Sequence, residues 1–287
     1  MKTAELVLPF RAELGEGINL FPDGYMRWVD LPHGRVYLWD GKVNHLVRDF
    51  GFEISKVLPW KNGMVVLDHT AVLLIDNMGN EVERINLHDA TSHLRCSDGI
   101  VLPNGELLLG ILDRDLSPGR GRFIRIHRDR SIETLVDKTT ISNGVTLMAG
   151  ADRIAWVDSP TGEIQVFNYE TRSGVLSGPN PYAYFPTDQG LIDGICADAQ
   201  GGIWAALWRG SGVAHFGPNG KLHEVIKFSS PNVTSCSFDS NNDLLITTGT
   251  ATLSPEQLEV HPGAGGLWRI PSKDHGATRL PIFISDL

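Results

Sequence analysis

The chain is built from short apolar runs separated by turn residues. Met26-Arg27-Trp28-Val29-Asp30 leads into a Pro32-His33-Gly34 turn and then Arg35-Val36-Tyr37-Leu38-Trp39-Asp40. The same two-run unit returns as Gly63–Asp68 with Ala71–Asp76, and as Glu106–Gly110 with Arg122–Ile126 after a longer insertion. It returns again as Arg153–Asp158 with Glu163–Phe167, Gly202–Leu207 with Gly212–Phe216, and Asp243–Thr248 with Gly266–Ile270. Runs of this length, rich in Val, Ile, Leu and Trp and bounded by Gly, Pro, Asn and Asp, read as strands. Hairpin turns are marked by Asn62-Gly63, Asn104-Gly105, Gly201-Gly202 and Asn219-Gly220. The units start near residues 26, 63, 105, 152, 202 and 243. That spacing, roughly 40 to 50 residues, is the period of one four-stranded propeller blade. No segment sustains a 3.6-residue apolar period, so helix should be scarce. The pattern predicts an all-β chain, one six-bladed β-propeller domain over residues 1–287. Leu6-Val7-Leu8 precedes the first unit. It is expected to pair into the blade holding the last strand and close the ring, because an open ring leaves strand edges unpaired.

Composition narrows the class. Hydrophobic residues make up 41% of the 287 and charged residues 21%, as in a globular protein that stays in solution. A net charge of -9 opposes nucleic acid as a partner. No apolar run approaches the ~20 residues of a membrane span, and no obligate protein partner is evident. The opening Met1–Pro9 has no long apolar stretch, so no signal peptide is expected. Cys96, Cys196 and Cys236 are too scattered for a disulfide framework, which suggests a reducing, cytoplasmic setting. Against the acidic average, Arg120, Arg122, Arg125, Arg128 and Arg130 crowd one stretch. This reads as a solvated hairpin, or alternatively as a loop whose field draws in an anionic substrate.

Motifs for a nucleophile elbow, a zinc protease helix or a phosphate loop are missing. Instead, polar residues followed by glycine recur ahead of the blade cores. These are Glu13-Leu14-Gly15-Glu16-Gly17, Arg95-Cys96-Ser97-Asp98-Gly99, Ile141-Ser142-Asn143-Gly144 and Ile192-Asp193-Gly194. Each falls at an equivalent place in its repeat, so their side chains are expected to converge on the axis, each held by a tight glycine turn.

On these segments the chain resembles the SMP-30/gluconolactonase (regucalcin-like) family of six-bladed propellers with sugar-lactonase activity. LGEGINLFPDGYMRWVD resembles the family's opening motif, RCSDGIVLPNGELLLG its arginine–aspartate–glycine segment, and ISNGVTL its serine–asparagine–glycine segment. IDGICADAQGGIWAALWRGSGVAHFGPNGK, VTSCSF and GAGGLWRI follow in the family's order, so the likeness spans nearly the whole chain.

The resemblance implies three metal ligands, Glu16, Asn143 and Asp193. Two carboxylates and an amide oxygen suit one divalent ion, Ca²⁺, Mg²⁺ or Mn²⁺, with Zn²⁺ also compatible. Three protein ligands leave positions open for water and substrate. The expected reaction is hydrolysis of a small-molecule sugar lactone. The ion would polarise the carbonyl, and Asp193 would serve as ligand and catalytic base. The resemblance also implies substrate contacts from Arg95, Ser97 and Asp115. Ser97 stands where the family has asparagine and Asp115 where it has glutamate, which points to a shifted substrate choice. Asp98 reads as a turn residue or a group behind the ligands. A metal-dependent phosphotriesterase, a calcium-binding regulatory propeller and a protein-docking platform remain as alternatives.

Overall fold

β1 (Glu5–Leu8) comes first in the chain and last in the ring. Blade one is β2 (Gly15–Leu20), β3 (Met26–Asp30), β4 (Arg35–Trp39) and β5 (Asn44–Asp49). Blade two is β6 (Ile54–Trp60), β7 (Gly63–Asp68), β8 (Ala71–Asp76) and β9 (Glu81–Asn86). Blade three is β10 (Leu94–Val101), β11 (Leu107–Asp113), β12 (Gly121–Ile126) and β13 (Ile132–Thr139). Blade four is β14 (Ser142–Leu147), β15 (Arg153–Asp158), β16 (Glu163–Glu170) and β17 (Val175–Tyr184). Blade five is β18 (Leu191–Ala197), β19 (Ile203–Trp208), β20 (Gly212–Phe216) and β21 (Leu222–Lys227). Blade six is β22 (Asn232–Phe238), β23 (Leu244–Gly249), β24 (Leu267–Ile270) and β1. These antiparallel sheets form a six-bladed β-propeller, seen in a computed structural model that describes residues 3–89 and 91–287. Met1 and Lys2, at the start of the segment read for a signal peptide, lie outside the described residues.

The predicted closure is present. β1 pairs antiparallel with β24, Glu5 opposite Arg269 and Leu6 opposite Trp268. A Glu5–Arg269 ion pair of 2.7 Å lies on that seam. Among the described residues α-helix is confined to α1 (Pro255–Val260), capped by Ser254 and Gln257, and α2 (Ser272–His275), with two single 3-10 turns at Ser159–Thr161 and Thr187–Gln189. No helix among the described residues is long and apolar enough to cross a membrane.

Six apolar layers fill the blade interfaces. Val29 and Val36 of blade one meet Val57, Val66 and Leu73 of blade two. The seam between blades six and one packs Leu245 and Leu267 against Trp28 and Tyr37. Each such fully buried side chain contributes about 1.5–3 kcal/mol, so the ring is held mainly by these layers.

The inner strands share one irregularity. All six break register early: between Glu16 and Asn19, Ile54 and Lys56, Cys96 and Gly99, Ser142 and Val145, Ile192 and Ile195, and Val233 and Ser235. A β-bulge re-aims a side chain and ends regular pairing. Repeated at one level of the ring, it forms a collar of re-aimed residues at one mouth of the channel.

The other mouth is covered by residues 277–287. The Ala199 N–H donates to the Thr278 carbonyl at 2.8 Å, and Arg279 N to Asn242 Oδ1 at 2.9 Å, tying this segment to blades five and six. It then crosses to blades two and three. Ser285 N donates to the Pro59 carbonyl at 2.9 Å, Ser285 Oγ to the Gly105 carbonyl at 3.0 Å, and Trp60 Nε1 to the Leu287 carbonyl at 2.8 Å.

Candidate functional site

Glu16 lies at the start of β2, where Gly17 has φ +58°. A Cβ on Gly17 would sit 2.8 Å from the Ser55 carbonyl oxygen and 3.1 Å from Lys56 Cα, so only glycine fits between the two inner strands. The Gly17 N–H donates to Glu16 Oε2 at 2.9 Å. Gly144 does the same between β14 and β18, where a Cβ would lie 2.3 Å from the Asp193 carbonyl oxygen. This close approach lets Asn143 Nδ2 donate to Asp193 Oδ1 at 2.5 Å. Asn143 and Asp193, 50 residues apart in sequence, are therefore in contact.

Both carboxyls hold their protons more tightly than usual. Burial pushes the Glu16 carboxyl up to about 7, and the Asp98 charge adds to this. Asp193 is raised well above the ordinary range, first by burial and then by the Glu16 charge, while the Asn143 hydrogen bond opposes the rise. Like charges out of water repel, and a proton or a cation relieves them.

Asp98 does more than shape a turn. Its Oδ1 accepts the Gly99 N–H at 2.7 Å and the Lys56 ammonium at 2.5 Å. Lys56 and Asp98 are both buried, with side chains 8% and 9% exposed. The sequence reading missed Lys56, although a lone cation within Ile54-Ser55-Lys56-Val57-Leu58 was the available signal. It also missed Glu53, whose Oε1 is 3.7 Å from Arg95 Nε and whose Oε2 pairs with Arg114. Arg95 is held by Glu53 on one side and donates to the Cys96 carbonyl at 3.0 Å. The charges of Glu16 and Asp193 act on it as well.

The other two expected contacts sit differently. The Ser97 hydroxyl donates to the Ser142 carbonyl and is thereby bound to the wall next to Asn143. Asp115 stands on the lip, 75% exposed, with Oδ2 3.4 Å from His93 Nδ1. His93, Asp113 and Asp115 bring ligand atoms within 4.8 Å of one another, but Asp113 is already paired with Arg120 at 2.8 Å.

The arginine-rich stretch is not a free cationic loop. Arg125 is buried against Glu106, Arg128 pairs with Asp286 at 2.5 Å, and Arg130 with Glu83 at 2.8 Å. Arg122 donates to the Leu87 carbonyl at 3.0 Å. Their partners neutralise most of the field expected from the sequence. Further along the channel a cavity of about 150 Å³ is lined by Lys56, Cys196 and Cys236 and by Arg279–Phe283. The two thiols lie 3.7 Å apart, and burial raises that of Cys196. Burial also raises the thiol of Cys96, so both cysteines beside the loops are packing residues rather than thiolates.

The donors at the mouth fit a divalent cation. The carboxylates of half-buried Glu16 and buried Asp193 repel each other, and Asn143, with its amide nitrogen used on Asp193, has its oxygen left to offer.

Residues 14–250 match the family described as SMP-30/Gluconolactonase/LRE-like region. The chain is 28% identical over 281 residues to the sugar lactone lactonase YvrE of Bacillus subtilis (95% of this chain, 96% of that one). It is 25% identical over 278 residues to human regucalcin, covering 93% of each. Among solved structures, the calcium-binding protein regucalcin of Agrobacterium tumefaciens superposes with a TM-score of 0.91 at 18% identity (100% of this chain, 98% of that one). At such identity a shared shape establishes the fold alone. The motifs in order, the ring they build and the match over residues 14–250 agree: the chain belongs to the SMP-30/gluconolactonase/LRE-like family.

Proposed function

We propose that this protein is a lactonase that works with one divalent ion, Ca²⁺, Zn²⁺, Mg²⁺ or Mn²⁺, and opens a sugar-acid lactone. The observation that carries the reading is the buried Asp193 carboxyl, held by Asn143 and pressed by the charge of Glu16. Glu16, Asn143 and Asp193 would hold the ion. When bound, it would supply Lewis acidity toward the lactone carbonyl.

The chain's own residues do the rest. Asn143 fixes the orientation of Asp193. Asp193 takes a proton from the attacking water as the water oxygen bonds to the carbonyl carbon. The ring acyl–oxygen bond then breaks, and the proton passes to the departing hydroxyl. Arg95, steadied by Glu53, holds a substrate oxygen through charged hydrogen bonds. Asp115 contacts only those substrates that reach the lip. Ser97, tied to Ser142, shapes the wall beside Asn143 and leaves more room than an amide would. The three free cysteines accord with a reducing, cytoplasmic setting.

The test is a pH-indicator assay of aldonolactones and an organophosphate triester, with ion-stripped and ion-reloaded protein. Lactone hydrolysis lost on stripping and regained on reloading is expected. Hydrolysis of the triester alone would move the assignment to a phosphotriesterase, and hydrolysis of neither would sink the enzyme reading.

A further inference from the structure

Lys56 is the one cation within Ile54–Trp60, a strand buried from end to end. A buried ammonium is tolerated only when paired, and its partner is Asp98, on the neighbouring inner strand in blade three. Asp98 Oδ1 is taken twice, by Lys56 Nζ at 2.5 Å and by Gly99 N at 2.7 Å. Yet Asp98 belongs electrostatically to the cup. Its charge is the largest acting on Glu16, it also acts on Asp193, and Lys56 opposes it at Glu16. A carboxylate so placed would ordinarily be recruited by a dication, since oxygen-ligand charge raises affinity.

We infer that Lys56 holds Asp98 out of the ion's coordination, so that the cup binds a divalent ion through Glu16, Asn143 and Asp193 alone and more weakly than its carboxylates would allow. The inference rests on the proposed ligand set and assigns Lys56 as a positioning residue. The benefit is an open coordination sphere, since each position not filled by protein stays available to water and substrate. Lys56 also lines the cavity below the cup, so the Lys56–Asp98 pair forms the floor between the acidic mouth and the thiol-lined chamber.

The experiment is a titration of the ion-stripped full chain with Mn²⁺, read from the electron paramagnetic resonance signal of free Mn²⁺. Lys56→Ser, which leaves Asp98 without its cation, should tighten Mn²⁺ binding at least about tenfold, and Asp98→Asn should weaken it at least about tenfold, a lower bound for one unit charge acting on a dication even at the screening of bulk water. The double variant should return close to the unaltered protein, and so should Lys56→Arg. Each single change strands a buried charge, so Lys56→Gln is included. It keeps a hydrogen-bond donor toward Asp98, its folding is to be checked by thermal melt, and it should still tighten Mn²⁺ severalfold by the same Coulomb argument. If Lys56→Gln and Lys56→Ser bind Mn²⁺ no more tightly than the unaltered protein, Lys56 has no such role. If the unaltered protein binds no Mn²⁺, Ca²⁺ or Zn²⁺ at all, the Glu16/Asn143/Asp193 assignment itself falls.

Discussion

The two ends of the channel are made by the same six inner strands and differ in almost every physical respect. At the near mouth each strand breaks register and turns a polar residue toward the axis. Carboxyls crowd one another there, and their charged forms are costly. Beyond the bulges the strands pair regularly and bury Leu20, Leu58, Val101, Leu147, Ala197 and Phe238. The far mouth is then covered by residues 277–287, whose main-chain groups bond to blades two, five and six and whose Ser285 hydroxyl bonds to blade three. One end stores repulsion that a ligand can relieve, and the other supplies the packing that makes the repulsion tolerable. Separation of this kind is expected where a rigid scaffold carries a destabilised site.

Substitutions should separate the two ends. The largest effect is expected for Asp193→Ala. Turnover of the lactone should fall by roughly 10²–10⁴-fold, the usual contribution of a general base, and ion binding should weaken. The melting temperature of the ion-free protein should hold or rise, because a crowded buried carboxyl is gone. Near-normal turnover would mean that the site is misassigned.

Deleting residues 279–287 should do the reverse. It removes the buried Leu287 and Ser285 and several cross-blade hydrogen bonds. A cost of roughly 3–5 kcal/mol follows, which lowers the melting temperature by roughly 10 °C in a chain of this size. Ion affinity of the folded fraction should not change. If it weakens markedly, the two ends are not independent.

Acidity gives a third contrast, located at the near mouth. Glu16 is raised to about 7 from its ordinary 4.5, first by burial. Between those values the native state holds a proton that the unfolded chain has lost. Stability conferred by that proton is present at low pH and declines as pH rises through 7. Ion-free protein should therefore melt lower at pH 8 than at pH 5.5, and saturating divalent ion should reverse the order. Melts that do not respond to the ion would argue against Glu16 as a ligand.

Arg95→Ala should reduce kcat/KM by roughly 1–3 kcal/mol of transition-state binding, the value of a charged hydrogen bond, while ion affinity stays nearly unchanged because a cation does not ligate the ion. The smallest effect is expected at Ser97. Its hydroxyl bonds the Ser142 carbonyl, so Ser97→Asn should alter selectivity among lactones more than overall rate. Unchanged kcat/KM ratios for several aldonolactones would confine Ser97 to a structural role.

What the sequence by itself determined was local and periodic. Strand runs two residues in period, Asn-Gly and Gly-Gly turns and a unit repeated every few tens of residues set out the six blades and the closing pairing of Leu6 and Leu8. Glycines after Glu16, Asn143 and Asp193 marked where the inner strands bend, because a glycine between two backbones can be recognised from its neighbours. What only the tertiary structure decided were the pairings between blades. Lys56 meets Asp98 across 42 residues, and Glu53 gathers Arg95 and Arg114. The arginine-rich stretch is neutralised by Glu83, Glu106 and Asp286, residues outside that stretch. None of these partners is set by strand period or turn chemistry. Each depends on the angle at which neighbouring blades are held once the ring closes, and that angle is fixed by side-chain packing across the whole molecule.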